Sequence, residues 1–138
     1  MVLTEYLKLQ SNGNNHFINL TSQVSAIVQN CGLKDGTVTL FVPGSTAGLS
    51  TIEFEEGALK DLDELLQRLV PQGHPYHHDA AWGDANGFSH LRACLLGPSL
   101  TVPFSSGKLH LGTWQQIVFM DFDNRPRRRE IVCQIMGE

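Results

Sequence analysis

The sequence predicts an α+β fold in which two to three helices pack on a largely antiparallel sheet. Two helical patterns lie in the first half of the chain, most runs of β-forming residues lie in the second half, and the two types do not alternate regularly. The 138 residues are 41% hydrophobic and 17% charged, which is typical of a globular protein. We therefore expect one domain spanning residues 1–138.

The first elements are a strand and a short helix. Val2–Leu9 alternates, with Leu3, Leu7 and Leu9 on one face, and the turn-forming run 12–15 ends it. Hydrophobic residues then recur at helical spacing from Ser22 to Cys31, and Gly32 follows where a helix terminator belongs.

Two strands and the longest helix come next. Thr37–Val42 and Leu49–Phe54 are rich in β-branched and aromatic residues. Two glutamates, Glu55 and Glu56, precede a leucine-rich helical pattern that ends before Pro71, and acidic groups suit the positive end of a helix.

The second half of the chain is predicted to be mainly strand. Leu91–Leu96 favours a short helix. The β-forming runs Leu100–Phe104, Leu109–Phe122 and Glu130–Met136 follow, separated by turn residues. We expect them to form an antiparallel meander.

Charge and cysteine content exclude several classes of protein. A net charge of -4 argues against nucleic acid as a partner, because phosphate binding favours a basic face. The three cysteines are widely spaced and odd in number, as expected of reduced thiols in the cytoplasm. No signal peptide or long apolar run is evident, so we expect no membrane partner.

The candidate chemical site is the segment 77–90, which holds three imidazoles, two carboxylates and an amide. Such polar groups are costly to bury without partners. We expect Trp82 and Phe88 to form apolar walls, and Gly83 and Gly87 to let the backbone approach a ligand closely. The candidate site residues are His78, Asp79, Asp84, Asn86 and His90.

His78 and His90 are the candidate metal ligands, although their spacing matches no established zinc motif. The alternative is that each is an ordinary surface or hydrogen-bonded histidine. Spacing alone does not decide between these interpretations.

Two small-residue turns are candidate phosphate sites. Gly44, Ser45 and Thr46 lie between two predicted strands, where free backbone N–H groups can form an anion-binding nest. A tight strand connection explains the same residues. Ser99, after Gly97 and Pro98, presents the same pair of alternatives.

Four further polar residues are candidates. Glu53 is interpreted either as a metal ligand or base, or as the cap of the following helix. Arg127 and Arg129 project from one strand face and can bind phosphate, or form ion pairs with the abundant acids. The Gln115 amide can contact a polar ligand, whereas the adjacent Trp114 is predicted to lie in the core.

Seven motifs, taken together and in this order, resemble the YjbQ family, the UPF0047 group of uncharacterised proteins, over nearly the whole chain. The motifs are Gly-Ser-Thr-Ala at 44–47, Thr-Ile-Glu at 51–53, His-His-Asp at 77–79, Asp-Ala-Asn-Gly-Phe-Ser-His at 84–90, Leu-Leu-Gly-Pro-Ser-Leu-Thr-Val-Pro at 95–103, Leu-Gly-Thr-Trp-Gln-Gln-Ile at 111–117 and Arg-x-Arg at 127–129.

The resemblance implies a compact α+β fold that assembles as a homotrimer, with sites near subunit boundaries. It also implies a weak thiamine-phosphate synthase activity, which joins a pyrimidine pyrophosphate to a thiazole phosphate. Many family members have a histidine where this chain has Gly44. The residues that the resemblance marks as functional are Glu53, His78, Asp79, Asp84, Asn86, His90, Gln115 and Arg129.

Chemistry gives these residues possible roles. Expelling pyrophosphate requires that developing negative charge be offset. The carboxylates of Glu53, Asp79 and Asp84 can hold Mg²⁺. His78 or His90 can transfer a proton or hold a softer metal such as Zn²⁺. The alternatives are a non-catalytic protein that binds a phosphorylated metabolite or metal, and a purely structural trimer.

Overall fold

Two antiparallel sheets and four helices make up the structure, a computed structural model that describes residues 1–138. The strands are β1 Val2–Ser11, β2 His16–Asn19, β3 Gly36–Phe41, β4 Ala47–Glu53, β5 Ser99–Ser105, β6 Lys108–Leu109, β7 Gln115–Asp121 and β8 Arg127–Gly137. The helices are α1 Thr21–Asn30, α2 Glu56–Leu69, α3 His77–Trp82 and α4 Gly87–Leu96. The predicted α+β class is confirmed, with one more helix than expected.

The larger sheet has five strands in the order β1-β8-β3-β5-β6, and the smaller has three in the order β2-β7-β4. Every strand pair is antiparallel. Within the smaller sheet, Ala47 of β4 pairs with Asp121 of β7 at one end, and Glu53 pairs with Gln115 at the other. This register fixes which candidate residues share an end of the sheet.

The predicted meander of the last three strands is wrong, because β7 belongs to the smaller sheet while β5 and β8 belong to the larger. The run Ile117–Phe122 is buried at every position, whereas β8 alternates buried and more exposed residues. A strand that is apolar on both faces needs a cover on both sides. Strands β7 and β8 therefore suit different positions, β7 between two layers and β8 with one face more exposed. The turn 112–114 separates β6 from β7.

The two faces of β7 contribute to two hydrophobic clusters. Ile117 and Phe119 join the main core of sixteen buried residues, which also takes in α1 and the inner face of the larger sheet. Val118, Met120 and Phe122 pack against Leu66 of α2 and Ala93 of α4. The smaller sheet is thus a middle layer, and its second face supports the helices that carry the histidine segment.

Local signals place the helix ends, and some were missed. Glu55 caps α2, its carboxylate accepting from the Gly57 and Ala58 N–H groups at 2.8 and 2.7 Å. Helix α4 begins at Gly87, earlier than the predicted start at Leu91, and short strand β2 was not predicted. No helix of the structure is both long and apolar enough to cross a membrane.

Candidate functional site

Helices α3 and α4 bring the imidazoles and carboxylates of the segment 77–90 together. Helix α3 ends at Gly83, whose φ of +72° turns the chain back toward α4. His78 Nδ1 lies 3.4 Å from Asp84 Oδ1 and 3.7 Å from Asp79 Oδ1. The His90 ring lies 4.5 Å from that of His78, measured between centroids. Four of the five candidate residues therefore meet at one helix junction.

His78 Nδ1 is a buried polar atom that makes no hydrogen bond. It faces two carboxylates at distances longer than an ordinary hydrogen bond to an imidazole N–H. Buried polar atoms in proteins are nearly always paired, so an orphaned one needs an explanation. Together with Asp79 and Asp84 it forms a group whose ligand atoms all lie within 4.8 Å of one another.

Asp79 is held in place by the start of α4. Its Oδ1 accepts from the Gly87 N–H at 2.8 Å, and a helix N-terminus favours a negative charge. A Cβ added to Gly87 would lie 2.9 Å from Asp79 Oδ1 and 2.9 Å from Tyr76 Cβ. Gly87 therefore lets α4 pack closely on α3, whereas Gly83 has open space around it and is needed for its positive φ.

We expect Gly87→Ala to lower the free energy of unfolding by about 1–3 kcal/mol, the usual cost of inserting a methyl group into a tightly packed position. Thermal or urea unfolding measures the loss. The matched control is Gly112→Ala, because a Cβ there meets nothing closer than 3.7 Å. If Gly87→Ala is as stable as the control, α3 moves to accommodate the added methyl group without a measurable loss of stability.

Asn86, the fifth candidate, is buried between two carboxylates. In one amide orientation its nitrogen donates to Asp123 Oδ1 at 3.4 Å. With the amide rotated by 180°, the nitrogen donates to the two Asp84 oxygens at 3.0 and 3.2 Å. We favour the rotated orientation because its bonds are shorter. Asn86 then orients Asp84.

A buried ion-pair network supports this junction from below. The Arg129 guanidinium donates to both Asp121 oxygens, from Nε at 2.8 Å and from Nη2 at 2.9 Å. Arg127 Nε donates to Asp123 Oδ2 at 2.8 Å. The Thr46 hydroxyl joins the pairs, accepting from Arg129 Nη2 at 2.7 Å and donating to Asp123 Oδ2 at 3.2 Å. Of the two interpretations offered for Arg127 and Arg129, phosphate binding or ion pairs with acids, the structure shows the ion pairs.

The pKa of Asp123 is lowered in this network. Burial by itself would raise it, but hydrogen bonds from the Asn124 N–H and Arg127, with the charge of Arg127, outweigh burial. A carboxyl group with a lowered folded pKa stabilises the fold above its unfolded pKa, and that contribution disappears as the pH falls through the folded value.

We expect the free energy of unfolding to fall as the pH decreases below about 4, where the unfolded aspartate begins to bind its proton. Urea unfolding between pH 6 and pH 3 measures this slope. In Asp123→Asn the slope should be shallower, because one group that binds a proton on unfolding is gone. Equal slopes in the two proteins would contradict the role given to Asp123.

The charges at the junction do not balance within the chain. Arg127 and Arg129 neutralise the buried Asp123 and Asp121. Asp79 and Asp84 have only His78 beside them. With a neutral imidazole, two negative charges therefore remain around the orphaned Nδ1 atom.

A cleft of about 270 Å³ borders His90. Its lining consists of Gly44, Ser45, Ala47, His90, Ala93, Cys94 and Pro98. A Cβ on Gly44 would lie 3.2 Å from Arg129 Nη1, the nitrogen of that guanidinium that bonds neither Asp121 nor Thr46. The predicted turn 44–46 thus lies beside the histidine site, with one arginine N–H group near it.

Other candidates lie elsewhere. Glu53 and Gln115 are at the opposite end of β4 and β7 from Ala47 and Asp121, about 20 Å away at the usual rise of a strand. Glu53 is exposed and is not the cap of α2, because Glu55 fills that role. Ser99 is exposed and lies one residue beyond the cleft.

Both tryptophan predictions are wrong. Trp82 is 77% exposed and forms no wall, and Trp114 is 72% exposed and lies outside the core. Trp82 is the last residue of α3, where only the side of that helix facing α4 is covered. Phe88 is buried, at 1% exposed, but it does not line the cleft beside His90.

Sequence reasoning missed three residues that shape the site. Asp121 and Asp123 are fully buried at the end of an apolar run, and a carboxylate in such a run signals a buried partner. Arg92 donates to the Val70 carbonyl from Nε and Nη2, and to Asn15 and Gln67, which fixes α4 against the end of α2. An arginine four residues after Phe88 on the buried helix face was its signal.

Comparison with known proteins identifies the family. The family described as UPF0047 protein YjbQ-like matches residues 5–138. The chain belongs to the YjbQ family. It is 43% identical over 119 residues to a UPF0047 protein of Archaeoglobus fulgidus, covering 86% of this chain and 90% of the relative. It is 38% identical over 137 residues to one of Methanothermobacter thermautotrophicus, covering 99% and 94%.

The YjbQ fold is also found in a solved structure. A YbjQ-like protein of unknown function from Sulfolobus solfataricus P2 superposes with a TM-score of 0.89, at 28% identity and over 100% of both chains. The resemblance drawn from the seven motifs is therefore confirmed. Since YjbQ proteins are grouped as uncharacterised, the function of this member has to be argued from its own site.

Proposed function

We propose that this YjbQ protein holds a divalent cation at His78, Asp79 and Asp84 and binds a phosphorylated small molecule in the adjoining cleft. The observation that carries the proposal is the buried, unpartnered His78 Nδ1 between two carboxylates. Asp79 and Asp84 also leave two negative charges that the arginines do not offset. A divalent cation would coordinate the unpaired Nδ1 atom and neutralise the two negative charges.

The spacing of the three ligand atoms suits a transition metal. Tetrahedral bonds of about 2.0–2.1 Å separate neighbouring ligand atoms by about 3.4 Å. The observed separations from Nδ1 are 3.4 and 3.7 Å. One imidazole with two carboxylates favours Zn²⁺ over Mg²⁺, which prefers oxygen ligands alone. Glu53 is too distant to contribute.

His90 is assigned to the cleft rather than to the cation. It lines the cleft with Gly44 and Ser45, and it is not one of the three residues whose ligand atoms cluster. Arg129 Nη1 beside Gly44 is the cationic group that lies nearest to this turn. A bound cation would supply further positive charge for phosphate oxygens. A histidine at position 44 would crowd Arg129, so Gly44 leaves more of the cleft open.

The reaction proposed for this site is the thiamine-phosphate synthase type implied by the family resemblance. The thiazole ring nitrogen forms a bond to the pyrimidine methylene carbon, and the bond from that carbon to pyrophosphate breaks. No proton leaves the thiazole nitrogen. His90 can donate a hydrogen bond to the leaving group, and Arg129 can offset its charge.

Turnover with both substrates in the presence of ZnCl₂ or MgCl₂ tests this proposal. We expect a low rate that depends on the metal and that His90→Ala reduces by about 10²-fold, the usual contribution of a proton donor. The matched control is His110→Ala, an exposed histidine whose side chain bonds only Ser105. Rates that are equal with metal and with chelator would overturn the proposal.

A second candidate is a non-catalytic binder of a phosphorylated metabolite or metal. It is favoured by the finding that Arg127 and Arg129 are largely engaged by Asp123 and Asp121, which leaves few donors to stabilise a departing pyrophosphate. Calorimetry with each phosphorylated substrate separates the two. Saturable binding without turnover supports the binder, and a purely structural protein binds neither.

We also propose that the protein acts as a homotrimer in the cytoplasm. The outer face of the larger sheet exposes Val2 beside Met136, and Tyr6 in one row with Val132 and Phe41. Exposed apolar patches of this kind mark contact surfaces. The three thiols are unpaired, as expected of a reducing compartment. Light scattering should give three times the mass of 15.3 kDa for the native protein and less for Tyr6→Lys.

A further inference from the structure

A second cleft lies at the end of β4 and β7 that the proposed metal site does not use. It has a volume of about 320 Å³ and is lined by Asn19, Glu53, Phe54, Glu55, Trp114 and Gln116. The Thr-Ile-Glu and Thr-Trp-Gln motifs thus meet here, in a place that neither the histidines nor the arginines reach.

Two aromatic side chains form the apolar part of this cleft. Trp114 is 72% exposed and Phe54 is 37% exposed. The turn that carries Trp114 is fixed by Gln115, whose Oε1 accepts from the Gly112 N–H and whose Nε2 donates to Thr51 Oγ1, both at 3.0 Å. The backbone position of Trp114 is therefore fixed, and its exposed indole offers a contact surface there.

Two carboxylates form the charged part of the cleft. Glu55 is fixed by the Gly57 and Ala58 N–H groups, which lower the pKa of its carboxyl. Neither Glu53 nor Glu55 belongs to any ion pair of the chain. The Glu53 carboxylate makes no hydrogen bond through its side chain, so it is the one acid here with its acceptor capacity open.

The amide oxygens that complete the cleft already accept hydrogen bonds. Asn19 Nδ2 donates to Gln116 Oε1 at 3.2 Å, and Asn19 Oδ1 accepts from the Thr21 N–H at 3.0 Å. The contribution of Asn19 and Gln116 to the cleft is therefore mainly steric. Apart from the Gln116 Nε2 donor, the unpaired features that remain are negative charge and aromatic faces.

We propose that this cleft binds a small organic cation with an alkylated ammonium group. Such a group is attracted to the face of an indole ring and to carboxylates, and it needs no hydrogen-bond acceptor of fixed geometry. A bare metal ion would favour several converging oxygen ligands instead of aromatic walls. The concave shape and volume suit a group of a few heavy atoms better than a protein surface.

Choline is the probe, and 3,3-dimethylbutan-1-ol, which has the same shape without the charge, is the control ligand. The indole N–H signal of Trp114 in a ¹H–¹⁵N spectrum reports binding, with the Trp82 signal as an internal control. We expect saturable shifts of Trp114 with choline, weak or no shifts with the alcohol, and no shift of Trp82.

Two variants separate charge from aromatic contact. Glu53→Gln and Trp114→Leu should each weaken choline binding by about two- to fivefold, the factor expected for one cation contact at an exposed site. Glu64→Gln, an exposed acid elsewhere on α2, should leave it unchanged. In Trp114→Leu the backbone amide signal of Gln115 serves as the reporter.

Three results would overturn the proposal. The first is equal binding of choline and the alcohol, which would show a purely apolar site. The second is the absence of a saturable shift at tens of millimolar choline. The third is a change of oligomeric mass in Trp114→Leu, which would show that a second copy of the chain covers the cleft. None of these results depends on metal binding at His78.

Discussion

Asp121→Asn is expected to lower the free energy of unfolding by about 3–5 kcal/mol, the usual loss when one member of a buried ion pair is removed. The Arg129 side chain is 9% exposed, and a guanidinium keeps its charge at any pH at which the protein folds. Arg129 would then hold a buried charge opposite a neutral amide. For a chain of this size the melting temperature should fall by about 10–20 °C.

Two controls isolate the charge. Glu130→Gln removes an exposed acid from the same strand as Arg129 and should change stability by less than about 0.5 kcal/mol. The double variant Asp121→Leu with Arg129→Met removes both charges and should recover most of the loss. The free energy of unfolding of Asp121→Asn could instead lie within about 1 kcal/mol of the native value, which is the cost of an ordinary hydrogen bond. In that case the ion pair does not stabilise the fold as described.

His78→Ala is expected to weaken Zn²⁺ binding by at least about 100-fold, or about 3 kcal/mol. The reason is that the variant removes the only nitrogen ligand and leaves two carboxylates that are 24% and 50% exposed. Competition with a chromogenic zinc chelator at pH 7 measures the affinity. His77→Ala is the matched control, because His77 is exposed on the same helix and takes no part in the ligand group.

Thermal unfolding gives an independent measurement of the same site. Zinc at 100 times its dissociation constant should add about 2.7 kcal/mol to the stability of the native protein and of His77→Ala. In His78→Ala the gain should disappear. If all three proteins gain equally, the zinc is bound elsewhere and the metal proposal fails. The choline experiment would still stand in that case.

Much of the fold could be predicted because the signals are local. Alternation in Val2–Leu9 and helical spacing from Ser22 to Cys31 report which side of a segment is buried, and turn residues mark where it ends. The β-forming residues of Leu109–Phe122 also predicted a strand where β7 lies. The sequence could not show that one face of β7 packs in the main core and the other against α2 and α4.

The candidate site was only partly predictable for the same reason. The histidine segment could be found because its polar groups are close in sequence, and their convergence needs only one turn between α3 and α4. Trp114 was misjudged because a large aromatic residue is usually buried, and only the turn fixed by Gln115 leaves it open.

By itself, the sequence determined the α+β class, the family and the segment that gathers imidazoles and carboxylates. The tertiary structure alone decided that Arg127 and Arg129 pair with Asp123 and Asp121, and that Glu53 lies far from His78. The physical reason is range. Periodicity and turn chemistry act between near neighbours along the chain, whereas the partner of a buried charge is set by which strands pair, and that depends on the packing of the whole core.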